Sequence, residues 1–439
     1  MKPILTLAVL LAPVFAAEAA AENFWDAIPV SPSTTRPLEV LDDYWNSQFQ
    51  RVNRELAAAK NCQLVFFGDS ITWSWSLGPA TGKAIWEKQF LPDHAINMGN
   101  SGDITPVMLH RVTRGNLDFP ADRQPKVAVL LCGINNFGVT KSAGGKEEWD
   151  LGTNCPPQDI ADGQRAIAQV FRRRLPQTRL IMLGLLPVAD RAKWEKCQKV
   201  NAIQAAVTRD SDEVGFIDLQ DKFLLPDGTI NKSLFTDGLH LTAEGYQTWA
   251  QGIAPKLDEL LKAPPLTPVK IMLVGGSATE GSDSSRSYRC HLDGLLRQKG
   301  HHIDFVGSRH KHNDNKSEPD SYQFDPDHEG HSGKSFAWFA EHMPVLLEKT
   351  TPDIAVLQLG AEDIAQDVVS VIASVRAKNP SVKVVLAHPE KHMMSSARSP
   401  VVVANIGMDP NTKAPSAGEA QKIAAILAEA ISPLMPSKK

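Results

Sequence analysis

Cysteine, excess basic charge and long apolar runs are what this chain has least of. Five cysteines in 439 residues are too few for a disulfide scaffold, and the odd number leaves at least one thiol unbridged. Lys and Arg total 46 against 50 Asp and Glu, a formal charge of −4. No global basic field is therefore present to gather nucleic acid or an anionic membrane, and neither is an expected partner. The one extended apolar run stands at the start of the chain and is about a dozen residues long, short of the roughly 20 that span a bilayer, so stable membrane insertion is not expected. What remains, 42% hydrophobic and 22% charged, is the composition of an ordinary core-forming chain. Its length predicts two to three domains at roughly 150 residues each.

The opening run has the form of an export signal. Met1-Lys2-Pro3 supplies a positive start, Ile4 to Phe15 an apolar stretch, and Ala17 to Ala21 small-residue cleavage positions, which predicts a signal peptide over residues 1–21 and a periplasmic or extracellular protein. No Cys lies at the cleavage site, so a lipid anchor is not indicated. Cys62 and Cys132 sit in or beside apolar runs and read as buried thiols, whereas Cys155 and Cys197 fall in polar stretches that read as loops. Export permits a Cys155 to Cys197 disulfide, which is the pairing expected here.

Three prolines within Ala263 to Pro268 follow a long amphipathic run and mark a linker. It separates residues 22–262 from 269–439. Both parts alternate short apolar strands with helix-period sequence, the signature of three-layer α/β/α domains with mainly parallel sheets. In the first part the predicted strands are 64–67, a short one around Ile96, 127–131, 180–185 and 215–219, and a helix is expected from Asp159 to Leu175. The second part repeats the plan: LVFFGDSIT (64–72) matches IMLVGGSAT (271–279), KVAVLLCGINN (126–136) matches DIAVLQLGAED (353–363), and the run 243–261 matches 417–431. Two diverged copies of one fold account for the paired G-x-S-x-T turns, which generic apolar strands do not.

The chemistry-bearing residues lie at the ends of these strands. In GDSIT, Ser70 stands where a buried strand turns into the next element, the edge at which open α/β sheets bind ligands. A serine nucleophile needs a base, and only His94, His110 and His240 of the 13 histidines precede the linker. His240 has Asp237 three residues before it in TDGLHLTAEGY, a spacing that lets a loop fold the carboxylate under the imidazole and aim the other ring nitrogen at a hydroxyl. His94 and His110 are expected in core or capping roles. In NMGNSGDIT (97–105), Gly102 lets a backbone N–H approach a ligand, and in GINN (133–136) Asn135 offers a side-chain NH2. With the Ser70 N–H these form a candidate oxyanion hole.

GDSIT, NMGNSGD, GINN and DGLH, in this order, resemble the four blocks of the SGNH (GDSL) hydrolase superfamily. The run from Gly68 to about Gly252 is similar to the branch around the catalytic subunits of platelet-activating-factor acetylhydrolase, with LGLLPVADR (183–191) and FLLPDGTINKSLFTDGLHLTAEGY (223–246) carrying much of the likeness. The resemblance implies a flavodoxin-like α/β/α fold and an esterase without cofactor. It assigns Ser70 as nucleophile, His240 as base and Asp237 as its orienter, with Ser70 N–H, Gly102 N–H and Asn135 as oxyanion donors. IMLVGGSATEG, YRCHLDGLL, IDFVGS and DHEGHSG, within residues 271–333, resemble acetylxylan-esterase-like members of the same superfamily, in which Ser277 and Gly333 match the nucleophile and oxyanion positions. The second copy departs from the pattern. Gly276 stands where the Asp of GDS belongs, Glu362 occupies the Asn position, and the expected terminal D-x-x-H falls on residues 410–414, with no His after His392. A serine without a base, facing a carboxylate, is a poor catalyst, so a degenerate site is expected.

Ten histidines lie in the second part, among them His301, His302, His310, His312, His328 and His331. Their spacing matches no zinc motif, and no metal is expected. Two stretches that read as inserted loops, 141–157 with Trp149 and 190–199 with Trp194, follow strands at the presumed site edge and offer aromatic faces for a sugar or an acyl group, or else pack on themselves. Trp73, Trp75 and Trp86 are expected in helix packing. The resulting expectation is an exported serine esterase acting on small acyl esters, acetyl on carbohydrate foremost. The alternatives are a lysophospholipase or phospholipid acetyl-hydrolase and, of another class, a glycan-binding protein without catalysis. Oligomeric state is left open.

Overall fold

A computed structural model of the protein describes residues 24–26, 28, 34–39, 43–76, 81–120, 123–138, 154–281, 287–310, 324–360, 363–388, 401–406 and 415–436. Residues 1–21, where a signal peptide is expected, Trp149, His312, Glu362, His392 and residues 410–414 lie outside these. The described residues contain two sheets with parallel pairing throughout.

The first sheet is built from β1 (Leu64–Gly68), β2 (Ile96–Gly99), β3 (Val127–Leu131), β4 (Arg179–Leu183) and β5 (Val214–Ile217), in the order β2-β1-β3-β4-β5. Its helices are α1 (Asp43–Ala58), α2 (Ser70–Trp73), α3 (Lys83–Gln89), α4 (Thr105–Thr113), α5 (Pro157–Arg174), α6 (Arg191–Thr208) and α7 (Ala243–Lys262). β1 and β3 are buried along their whole length, as the continuous apolar runs of a sheet covered on both faces require. Side chains alternate between the faces. Leu64 and Phe66 join Trp75, Trp86, Phe90, Tyr246 and Trp249 on one side, while Val65 and Phe67 join Val52, Met108 and Phe171 on the other. Helices α3 and α7 therefore cover the Phe66 face, and α1, α4 and α5 the Phe67 face.

The second sheet comprises β6 (Val269–Gly275), β7 (Ile303–Val306), β8 (Glu329–Gly330), β9 (Ile354–Gln358), β10 (Lys383–His388) and β11 (Val401–Asn405), flanked by α8 (Ser277–Glu280), α9 (Tyr288–Gln298), α10 (Phe336–Leu346), α11 (Ala365–Lys378) and α12 (Ala417–Ile431). Its order, β7-β6-β9-β10-β11, repeats that of the first sheet. One element differs: β7 pairs with the start of β6 and β8 with its end, so a strand equivalent to β2 is split by the residues between 306 and 329. The sequence repeat is thus a repeat of topology.

Three expectations are corrected. Residues 190–199 are not an inserted loop but the start of α6, capped by Asp190, whose side chain accepts from the Lys193 N–H. Trp194 is consequently buried, its Nε1–H donating to Gln220 Oε1 at 3.0 Å, and offers no exposed face to a substrate. Cys155 and Cys197 are not joined as a disulfide. Both are buried in the cluster on the Phe66 face, Cys197 on the inward side of α6, where burial pushes its thiol up to about 12 and leaves it a small apolar packing group.

The linker packs on the first sheet's unit, with Leu266 N–H donating to the Gln177 carbonyl and Arg179 to the Pro264 carbonyl. The two units also share a buried charge cluster. Asp293 on α9 accepts from Arg173 on α5 and from Arg297, each at 2.9 Å, and both guanidinium groups lie over the ring of Trp25, at 5.0 and 4.6 Å. Burial pulls the Asp293 carboxyl upward, but the two arginines outweigh it and hold it below the ordinary range.

Candidate active site

β1 ends at Gly68, where any side chain would run into Thr72 and the Leu131 carbonyl. The chain turns there into α2, whose first residue is Ser70. Asp69 caps this turn, its Oδ1 accepting the Ile71 N–H at 3.0 Å. Asp69 is fully buried, and burial, reinforced by the nearby Asp103, pushes its carboxyl up to about 7. Ser70 itself is 6% exposed, with Oγ 3.0 Å from His240 Nε2.

His240 is aimed by the loop that precedes α7. Asp237 Oδ1 accepts from Leu239 N–H at 3.0 Å and His240 N–H at 2.7 Å, while Gly238, at φ +83°, makes the turn that folds the loop back on itself. The Gly238 carbonyl accepts the Ala189 N–H at 2.8 Å, which ties the loop to the segment after β4. The second carboxylate oxygen, Oδ2, lies 2.7 Å from His240 Nδ1. Nδ1–H donating to that carboxylate leaves Nε2 as the acceptor for the Ser70 hydroxyl. Burial raises the Asp237 carboxyl, but its hydrogen bonds from the His240 side chain and backbone outweigh this and hold it below the ordinary range.

The donor side is a loop after β2. Asn100 N–H donates to the Gly68 carbonyl at 2.9 Å, and Asn100 Nδ2 donates to Asp103 Oδ1 at 2.9 Å. Between them Gly102 takes φ +82°, a conformation that favours glycine. Two arginines hold the loop. Buried Arg111 on α4 pairs with Asp103 Oδ2 and donates to the Met98 carbonyl and to Asn116. Arg51 on α1 donates to the carbonyls of Asn97 and Gly99, at 3.0 and 2.7 Å. Burial pushes the Asp103 carboxyl up to about 6 despite Arg111. From the end of β3, Asn135 Nδ2 donates to the Asp103 carbonyl at 3.0 Å, and its second N–H remains for a ligand.

The structure thus brings Ser70, His240 and Asp237 into one hydrogen-bonded chain and sets Gly102 and Asn135 on the loops beside it. A hydroxyl relayed to an oriented imidazole is the arrangement of nucleophilic acyl transfer. Sequence reasoning missed Arg51, Asp103 and Arg111. The available signal was a lone arginine inside the apolar run Val107–Val112, since a charge there needs a buried partner. His94 caps a turn in the left-handed region and His110 lies beside Phe49, both away from the triad. Trp75 and Trp86 are buried against Phe66.

The second unit repeats the backbone of the site. Ser277 opens α8 after β6, and His331 N–H donates to the Gly275 carbonyl at 2.8 Å as Asn100 does to Gly68. Gly333 has φ +74°. His331 stands where Asn100 does, its Nε2 bonded to Glu329 Oε1 at 2.6 Å, and His310 pairs with Asp327. Among the described residues no three His, Cys, Asp or Glu side chains converge as a metal site, and no helix is long and apolar enough to cross a membrane.

The chain is similar to several known proteins. The GDSL-like lipase/acylhydrolase family matches residues 66–248. The alpha2 subunit of platelet-activating factor acetylhydrolase IB from Rattus norvegicus is 30% identical over 226 residues, 51% of this chain and 88% of the relative. The alpha1 subunit from Bos taurus is 29% identical over 232 residues, 52% of this chain and 90% of the relative. Among solved structures, the family 3 carbohydrate esterase of Clostridium thermocellum is 25% identical, covering 38% of this chain and 97% of that one, with a TM-score of 0.31.

Proposed function

The chain belongs to the GDSL-like lipase/acylhydrolase family and is an ester-hydrolysing enzyme, and from that premise we propose that it is an exported serine esterase removing small acyl groups, chiefly acetyl, from carbohydrate. The observation that carries the mechanism is the chain Ser70 Oγ to His240 Nε2 at 3.0 Å and His240 Nδ1 to Asp237 Oδ2 at 2.7 Å. Ser70 Oγ attacks the ester carbonyl as its proton passes to His240 Nε2. The carbonyl oxygen, now anionic, is held by the N–H groups of Ser70 and Gly102 and by Asn135 Nδ2. His240 returns the proton to the departing alcohol, leaving an acyl-serine. Water, deprotonated by the same nitrogen, then releases the acid and restores Ser70.

Export is supported by the leader pattern over residues 1–21. Carbohydrate is supported by the second unit's sequence likeness to acetylxylan-esterase-like proteins, an argument by analogy. The named activity of the mammalian relatives favours a second reading, a phospholipid acetyl-hydrolase or lysophospholipase. The test compares p-nitrophenyl acetate with the octanoate, then acetate release from acetylated xylan and acetylated sialic acid with fatty-acid release from lysophosphatidylcholine. Acetate release from a glycan supports the proposal. Faster turnover of octanoate, with release from the lysolipid, contradicts it.

A further inference from the structure

We propose that Trp45 sets the size of the acyl group by walling the ester site beside Gly102, an inference that rests on the serine-esterase reading above. Trp45 lies in the first turn of α1, outside the 66–248 stretch matched by the family, and is half-buried. A methyl group built on Gly102 would lie 3.1 Å from Cη2 and 3.4 Å from Cζ2 of its indole. The six-membered edge of the ring therefore rests against the residue whose N–H is assigned to the oxyanion.

Helix α1, which carries the ring, is held in place from several sides. Arg51, later on the same helix, grips the end of β2 through the Asn97 and Gly99 carbonyls. Asn53 Oδ1 accepts from Asn116 Nδ2 at 2.7 Å. Tyr44 hydrogen-bonds Ser101, the neighbour of Gly102, and its ring meets that of Trp45 edge-on at 5.7 Å. Helix α1, and with it Trp45, is thus held against the end of β2 and the loop that leads to Gly102.

The direction of the acyl chain follows from the proton transfer. The departing oxygen must receive its proton from His240 Nε2, so the alcohol lies on the His240 side of the ester. His240 leads into α7, which packs on the Phe66 face of the sheet, whereas α1 packs on the Phe67 face. The acyl chain, on the far side of the carbonyl carbon from the base, runs toward α1. An acetyl methyl ends near Gly102, and a longer chain meets the indole.

The experiment uses the full chain after leader removal, with p-nitrophenyl acetate, butanoate and octanoate, which share one leaving group. Trp45→Ala is expected to raise the octanoate-to-acetate ratio of kcat/KM by about tenfold or more, the scale on which an apolar pocket discriminates by size. Trp45→Phe is expected to give a smaller rise. The ratio of phenyl to naphthyl acetate, which varies only the leaving group, stays at the wild-type value. An unchanged octanoate-to-acetate ratio in Trp45→Ala, or a shift in the leaving-group ratio instead, overturns the assignment. If Trp45→Ala does not fold, as shown by loss of fluorophosphonate labelling at Ser70, the ratio in Trp45→Leu decides in the same way. A wild-type protein that fluorophosphonate leaves unlabelled overturns the serine-esterase reading, whereas a labelled one with an unmoved ratio overturns only the role of Trp45.

Discussion

Replacing Asp237 by Asn changes one atom and isolates the tautomer of His240. In the native loop Asp237 Oδ1 accepts two backbone N–H groups, from Leu239 and His240, and an Asn Oδ1 keeps both. At the Oδ2 position the Asn presents N–H to His240 Nδ1, which is 2.7 Å away in the native structure. Two donors then face each other unless the imidazole carries its proton on Nε2 instead. That tautomer turns an N–H toward Ser70 Oγ and removes the lone pair that accepts the serine proton. In a triad with a buried aspartate this exchange lowers kcat about 10⁴-fold. Here the Asp237 side chain is 54% exposed and that of His240 37%, so water competes for Nδ1 and weakens the constraint. The expected loss is about 10²- to 10³-fold, or about 3–4 kcal/mol at 1.36 kcal/mol per decade. Asp237→Ala leaves Nδ1 to water and also removes the acceptor of the two backbone N–H groups that shape the loop, and is expected to lose about 10²- to 10⁴-fold. Because Asp237 is held below the ordinary carboxylate range, it is ionised throughout an assay from pH 6 to 9, and the loss in the Asn variant is expected across that range. The assay is kcat/KM for p-nitrophenyl acetate, with circular dichroism to confirm folding. An Asn variant that retains more than about a tenth of wild-type activity refutes the tautomer argument.

Two further outcomes are expected. Arg111→Met strands the buried Asp103 carboxylate and should cost about 3–5 kcal/mol in urea unfolding. Asp103 is already pushed up to about 6; without Arg111 it rises further, so the native variant holds a proton that the unfolded chain has released. Stability then falls as pH rises, over a wider window than in wild type. The loss should be larger at pH 8 than at pH 5 and should be largely recovered by adding Asp103→Asn, and a loss independent of pH contradicts the pairing. Ser277→Ala should leave turnover of p-nitrophenyl acetate within about twofold of wild type, since no base is assigned to that serine. A tenfold or greater loss, by the same reasoning, would show that the second site works.

Much of the fold was legible because its strands are continuous apolar runs that end in glycine or a turn. The 127–131 strand and the 417–431 helix were read at their observed bounds. The start of α6 was not, for a physical reason. Its inward stripe passes through Trp194 and Cys197 but then uses Asn201 and Gln204, which are buried because they bond the Leu185 backbone and the Ala161 carbonyl. Polar residues on the buried face, among exposed Arg191 and Glu195, hide the helical period. The same limit applies at the site. Ser70, Gly102, Asn135 and His240 each stand in a local motif at the end of an element, so they could be found one at a time. Arg51 and Trp45 act on a loop about 50 residues away, and no local pattern marks a side chain whose partner is chosen by packing. The splitting of the β2-equivalent strand into β7 and β8 was hidden likewise, because two residues carry no period.

The proposed mechanism makes Ser70, activated by His240, the nucleophile of a single working site. Fluorophosphonate labelling of the full chain, read by peptide mass mapping, tests it most directly. One adduct is expected, on Ser70, lost in Ser70→Ala and strongly slowed in His240→Ala. A chain that takes no label, or an adduct that persists in Ser70→Ala or maps to Ser277, would contradict it.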